Sequence, residues 1–394
     1  MTNRVSANAA GSTLIFVGLI LVATTLRAPI TGVGPVLNQI QNTFALSPAM
    51  AGFLTSLPLL AFGFISPFAG GFARRVGFEQ SLRYSLVAVI VGIALRSAGH
   101  EWALFLGTAL LGVGISFGNV LMPALVKREY PEKVPAVTGR CGIAMGLAAA
   151  LSSASAYPIS TIAGWQGALV APILFPALAL VAWLAFKPKN VPSASLAAGV
   201  VPVVVSPWSS SLAWQVTGFM AINSVLFYAL ITWLPSILTA SGQSAATAGS
   251  IHGFLQTASI VPGLLLGGLV SRMRDQKAVA LGLTVVQIVA LLGLANLPAW
   301  APLWAFLFGM GSGGALLLSL MFFGMRTRSP QQAAALSGMA QCVNFLAAAP
   351  GPVLAGTLQK SFGSWTPVLY LGVGLAIVMA ILGLMAGRRR ILED

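Results

Sequence analysis

The chain has 394 residues, 57% hydrophobic and 7% charged, with a formal charge of +14 and a mean hydropathy of +0.90. Soluble domains carry roughly 25% charged residues, so a chain this poor in charge cannot coat a water-facing surface of its own size, and lipid must be its main solvent. The positive charge sits in short clusters between long apolar runs, not on one polar face, which excludes a nucleic-acid binder.

Stretches of about 20 mostly apolar residues, long enough to cross a bilayer as a helix, lie near 13–38, 49–72, 82–98, 102–126, 138–162 and 166–186. A stretch rich in Pro, Ser and Val follows from Lys187 to Ser211. Six more spans lie near 212–239, 247–270, 278–296, 302–325, 332–358 and 366–386. The first begins like a secretory signal, with Arg4 ahead of an apolar run from Leu14 to Leu26. No small-residue cleavage site ends that run, so it is read as the first membrane helix. The predicted fold is an all-α polytopic membrane protein of twelve helices. It is divided into an N-terminal six-helix bundle over 1–186, a linker over 187–211 and a C-terminal six-helix bundle over 212–394.

Basic residues follow every even span. They are Arg74, Arg75 and Arg83; Lys127, Arg128, Lys133 and Arg140; Lys187 and Lys189; Arg272, Arg274 and Lys277; Arg326 and Arg328; and Arg388 to Arg390. The odd loops are nearly empty, with Lys360 and the pair His100, Glu101 as the main exceptions. Positive residues stay cytoplasmic, so both termini are expected inside a bacterial inner membrane. The halves also repeat at one shared offset. Ser47, Ala51 and Gly52 fall on Ser244, Ala248 and Gly249; Gly70, Gly71 and Arg75 on Gly267, Gly268 and Arg272; Gly112 and Gly114 on Gly309 and Gly311. A repeat of half the chain with the same topology in each copy fits two-bundle transporters, whose site lies between the halves near mid-membrane.

Twelve spans, a central loop and the segment of Gly70, Arg75 and Gly77 after span two resemble the major facilitator superfamily. More narrowly, the chain resembles the branch of cyanate permeases and 2-nitroimidazole transporters, and is closer to the latter. The segments that carry this are Leu26-Arg27-Ala28-Pro29-Ile30-Thr31-Gly32-Val33-Gly34-Pro35, Leu54-Thr55-Ser56-Leu57-Pro58-Leu59-Leu60, Gly118-Asn119-Val120-Leu121-Met122-Pro123, Ile222-Asn223-Ser224, Gly249-Ser250-Ile251-His252-Gly253 and Ala335-Leu336-Ser337-Gly338-Met339-Ala340-Gln341. The resemblance implies two bundles that rock around a central site lined by spans one, four, seven, eight and eleven. It also implies gating by the loop of Gly70, Arg74, Arg75 and Gly77. Two departures stand out. Arg74 occupies the place where the wider superfamily carries an acid, and Thr108 the place of its intramembrane arginine.

A charge at the bilayer centre costs roughly 2.5 kcal/mol or more and marks a pathway. Arg27 lies mid-way along span one with Thr24 and Thr31 on its face. It presents a planar fork of donors suited to a carboxylate, cyanate, nitro group or ring acceptor; the alternative is a structural arginine held by backbone carbonyls. If transport is proton-coupled, His252 in span eight, with Gln256 and Ser259 on the same face, is the best-placed carrier by elimination, because no Asp or Glu lies deep in a span. A neutral hydrogen-bonding role for it stays open. Asn119, Asn223, Ser224, Tyr228, Gln341 and Asn344 either glue helices together or line a cavity; the resemblance favours lining. Phe227, Tyr228 and Trp233 offer faces for a planar ligand.

No cofactor is expected. The Gly309 cluster follows no strand and precedes no Gly-Lys-Ser/Thr. Cys141 and Cys342 sit in apolar runs without metal spacing. A membrane enzyme lacks an acid, base or metal cluster here, a channel lacks a continuous polar pore, and a sensor lacks a soluble output domain. The sequence predicts a monomeric secondary transporter of a small polar planar or anionic molecule of the 2-nitroimidazole type, with cyanate or another small anion as the alternative and protons as the coupling ion.

Overall fold

The computed structural model describes residues 15–46, 48–185 and 206–392. Most of the stretch from Lys187 to Ser211 therefore lies outside the described residues, as do Ser47, Glu393 and Asp394. In chain order the helices are α1 (15–25), α2 (Ala28–Thr31), α3 (Leu37–Phe44), α4 (Pro48–Val76), α5 (Phe78–Arg96), α6 (Glu101–Glu129), α7 (Val134–Val170) and α8 (Leu174–Leu184). They continue with α9 (Ser211–Ala240), α10 (Ala245–Ala258), α11 (Pro262–Ser271), α12 (Lys277–Asn296), α13 (Ala301–Met325), α14 (Pro330–Ala348), α15 (Gly351–Phe362) and α16 (Thr366–Ala386). No strand occurs among the described residues.

Among the described residues eleven segments are long and apolar enough to cross a membrane. One of them, Val134–Leu184, has 51 residues. At about 1.5 Å per residue a continuous helix of that length far exceeds a hydrocarbon core of about 30 Å. The chain breaks inside it at Ala163 and Gly164, where Gly164 takes φ 68°, a left-handed conformation that costs glycine little. The segment therefore makes two crossings, and twelve result.

Four spans are interrupted, each beside a proline; in span six a short 3-10 turn at Ala171–Ile173, containing Pro172, separates α7 from α8. Span one breaks at Leu26–Arg27, ahead of Pro29, and again at Gly32–Val33. Span eight breaks between α10 and α11, ahead of Pro262. Span eleven breaks between α14 and α15 at Pro350. Proline has no N–H for the preceding turn and starts a helix readily. Pro58, Pro123 and Pro235, by contrast, stay inside continuous helices.

The chain divides into two compact units. The first holds residues up to Pro131, Ala144–Ser206 and Ser329–Gly338; the second holds Glu132–Ile143, Pro207–Arg328 and residues from Met339 on. The changeovers fall within α7 and α14. In the second unit the start of α7 packs closely on α11: a Cβ on Gly139 would lie 3.2 Å from Gly267 Cα, and one on Gly267 would lie 3.0 Å from Pro135 O. In the first unit the start of α14 packs on α4: a Cβ on Gly338 would lie 2.8 Å from Ser66 O, and one on Gly70 would lie 3.5 Å from the Ala334 carbonyl carbon. Gly70 and Gly267, matched by the repeat, thus do the same job.

Candidate functional site

In the first unit the break in span one leaves the last carbonyls of α2 without their helical partners. The Gly32 amide bonds to Ile30 O and the Val33 amide to Ile30 O, so Ala28 O and Pro29 O are left over. Buried carbonyls must find donors, and neighbouring helices supply them. Ser152 Oγ donates to Ala28 O at 2.7 Å. Arg96 donates through Nη1 to Pro29 O at 2.7 Å and through Nη2 to Leu169 O at 3.0 Å. Thr31 Oγ1 donates to Ala149 O at 3.0 Å. Spans three and five thereby hold span one in its broken form.

Arg27 is the N-cap of α2 and half-buried. Its guanidinium makes no hydrogen bond, ion pair or ring contact with any described residue. The structural role weighed for Arg27 is the one Arg96 fills: Arg96 is 1% exposed and bound to carbonyls of two other helices. Arg96 was not among the sequence candidates. The signal was present, because it is an arginine at the odd-loop end of a span, where basic residues are otherwise scarce.

Asn119 lies on α6, the helix that packs on span one at Gly118. Leu26 fills the notch at Gly118, whose Cβ position lies 2.5 Å from Leu26 Cδ2, and Arg27 and Asn119 follow these two residues in sequence. The Asn119 side-chain amide is half-buried and makes no hydrogen bond to a described residue, while its backbone oxygen accepts from Ser337 Oγ at 3.5 Å. Thr108, in the place of the superfamily's intramembrane arginine, is buried and bonds to Leu104 O in its own helix at 2.7 Å.

At the end of α4, Arg74 and Arg75 are exposed, and Gly77 starts α5 at φ 92°. On the next helix Glu79 Oε1 accepts from Arg128 Nη2 at 2.6 Å, while Arg128 Nε donates to Glu129 Oε1 at 2.8 Å.

In the second unit the candidate amides are buried and only partly satisfied. Asn223 donates through Nδ2 to Ser312 O at 3.2 Å, and its Oδ1 has no partner. Asn344 Oδ1 is also buried without a partner. Gln341 is 2% exposed and makes no side-chain hydrogen bond to a described residue. Spans seven and eleven approach just beyond Asn223 and Asn344, where a Cβ on Gly351 would lie 3.4 Å from Val225 O. His252 is half-buried on α10 and makes no hydrogen bond to a described residue, and Gln256, one turn on, is exposed. Tyr228 is half-buried and meets Phe227 edge-on at 5.5 Å. Trp233 is not a free platform: its Nε1 donates to Pro352 O at 2.7 Å, and its ring lies 5.2 Å from that of Trp365.

The two sets differ in chemistry. The first unit offers a permanent cation and an amide. The second offers two bare amide oxygens, which accept N–H or O–H donors, together with a histidine. Among the described residues no group of His, Cys, Asp and Glu is placed to hold a metal.

Comparison with known proteins agrees with this architecture. The family model of the Major Facilitator Superfamily matches residues 15–352. The 2-nitroimidazole transporter of Escherichia coli (strain K12) is 45% identical over 390 residues, covering 98% of this chain and 99% of the relative. The cyanate transport protein CynX of the same organism is 30% identical over 371 residues, covering 91% and 94%. The solved structure of the proton:xylose symporter XylE superposes with a TM-score of 0.80 at 12% identity, covering 98% of each chain. The chain belongs to the Major Facilitator Superfamily and is a transporter, not an enzyme.

Proposed function

We propose that this protein is a secondary active transporter of a small planar acid or anion of the 2-nitroimidazole type, working by alternating access. The observation that carries the reading is Arg27, a guanidinium inside a membrane span with no partner among the described residues. A cation in that position is costly unless it faces water or an anion, and the spans contain no deep carboxylate to pair with it. A nitro group or a ring nitrogen that has lost its proton meets the planar donor fork well. Ring N–H groups or bound water suit the bare oxygens of Asn223 and Asn344. Asn119, Thr31, Tyr228, Gln256 and Gln341 complete the proposed binding set. The 45% identity to a 2-nitroimidazole transporter supports this ligand class. Cyanate is the second reading, supported by the 30% identity to CynX and by Arg27's fit to a small anion.

We place both termini in the cytoplasm of a bacterial cell, because basic residues follow every even span, and take the working form as a monomer. Protons are the proposed coupling ion and His252 their carrier, since it is the histidine within a span and bonds to no described residue. The test is uptake of labelled 2-nitroimidazole and of cyanate into proteoliposomes under an imposed pH gradient. Wild type is expected to concentrate the first. Arg27→Ala is expected to lose about 10- to 100-fold in apparent affinity, the worth of a hydrogen bond to a charged group. In His252→Gln the dependence of uptake on the imposed pH gradient should flatten. Arg27→Ala with unchanged affinity for every transported probe refutes the site; unchanged gradient dependence in His252→Gln refutes the carrier alone.

A further inference from the structure

Away from these polar residues, the second unit carries an open groove of about 320 Å³ between the end of α11 and the start of α12, near the lower end of ligand clefts of about 300–1,000 Å³. Leu266, Leu269 and Met273 form one wall, and Val279, Gly282 and Leu283 the other. Both helices pack on α13, where Leu266 and Leu283 close over Gly314 to make the floor. Gly282 leaves one side open: nothing lies within 4 Å of its Cβ position.

The mouth of this apolar groove is cationic. Arg272 and Arg274 flank Met273 and are exposed, and Lys277 immediately precedes the first turn of the second wall. The C-terminal turn is fastened next to them. Gln276 N donates to Gly387 O at 2.9 Å, Leu392 N donates to Arg326 O at 2.9 Å, and Arg326 Nε donates to Ala386 O at 2.9 Å. Exposed Arg388, Arg389 and Arg390 therefore leave the protein beside Lys277. Asp275 pairs with Lys277 at 3.3 Å. The neighbouring segment 132–143 adds Glu132 but also Lys133 and Arg140, so the sign of the mouth is unchanged.

We propose that this groove binds an anionic phospholipid of the surrounding leaflet, with an acyl chain between α11 and α12 and the phosphate against the turn from Arg272 to Lys277. Lipid tails are as apolar as the leucines that line the groove, so apolar burial alone selects no particular lipid. The selectivity comes from the mouth, where arginine pairs phosphate through two parallel hydrogen bonds and the remaining cations repel the ammonium of a zwitterionic headgroup. A bilayer-facing groove with a basic rim at the membrane surface fits that one molecule at both ends.

Native mass spectrometry of the full chain in detergent, with phosphatidylglycerol or phosphatidylethanolamine added, tests the site. Wild type should retain phosphatidylglycerol preferentially. The double variant Arg272→Gln/Arg274→Gln should lose that preference, on the order of fivefold per charge removed. Gly282→Leu, which grows into open space, should lower retention of both lipids without moving the thermal midpoint. Equal retention of phosphatidylglycerol by all three proteins, or no preference in wild type, overturns the proposal. So does a dimer that Gly282→Leu alone dissolves, because the groove's occupant is then a second copy of the chain.

Discussion

Arg27 and Arg96 are two arginines of the same unit with opposite fates. Arg96 is buried at the end of α5 and spends its terminal nitrogens on Pro29 O and Leu169 O, whereas Arg27, at the break Arg96 braces, bonds to nothing described. Replacing Arg96 by methionine leaves two buried carbonyls bare, at about 1–3 kcal/mol each. Thermal unfolding in detergent should fall well below wild type for Arg96→Met, and less for Arg96→Lys, which keeps one bond; equal midpoints for methionine and wild type would show that the carbonyls find other donors. Asn223 makes the complementary case. It has one interhelical bond, a type that averages about 0.6 kcal/mol in membranes, and one bare oxygen. Asn223→Leu removes both the bond and the cost of the oxygen, so its midpoint should stay near wild type while uptake of 2-nitroimidazole drops. A large loss of stability with normal uptake would make Asn223 helix glue instead. Composition and charge cost were enough to single out Arg27, but not Arg96, because a buried arginine at a helix end looks like an ordinary boundary residue until its carbonyl partners are in view.

At the scale of elements, the interruptions in spans one, eight and eleven carry most of the argument. Each coincides with proline, and Arg27, His252 and Gln341 with Asn344 lie on these same three spans. The prolines are plain in the sequence; which of them break a helix is not. Pro58 and Pro235 stay within α4 and α9, whereas Pro29 and Pro262 start new helices; at the Pro29 break the neighbours Ser152 and Arg96 satisfy the freed carbonyls. The paired glycines Gly70 and Gly267 were visible as repeat matches, yet their role appears only where the starts of α14 and α7 press on them. A leucine at Gly267 cannot be accommodated 3.0 Å from Pro135 O without displacing the start of α7. In hydrogen exchange, Gly267→Leu should expose amides of 132–143 while α12 and α16 keep their protection; unchanged protection of 132–143 would contradict this packing.

For the whole molecule, twelve crossings and the halfway repeat follow from patterns that survive without coordinates: apolar length, basic residues after even spans and a common offset of glycines; the membership in the Major Facilitator Superfamily rests on the family match and the relatives. The division into compact units is different, because the first parts of α7 and α14 group with the opposite half of the chain, and only packing reveals that. The proposed site centres on Arg27, a cation that no described residue pairs and that a ligand completes. A ligand that binds only the folded state raises stability by about 2.7 kcal/mol at a hundredfold excess over its dissociation constant, so the direct measurement is the thermal midpoint of purified protein titrated with 2-nitroimidazole and with cyanate, in wild type, Arg27→Ala and Arg27→Lys. Wild type should rise in a saturable manner with at least one of the two, Arg27→Lys should rise less, and Arg27→Ala should not move. A midpoint that climbs equally in wild type and Arg27→Ala contradicts the account.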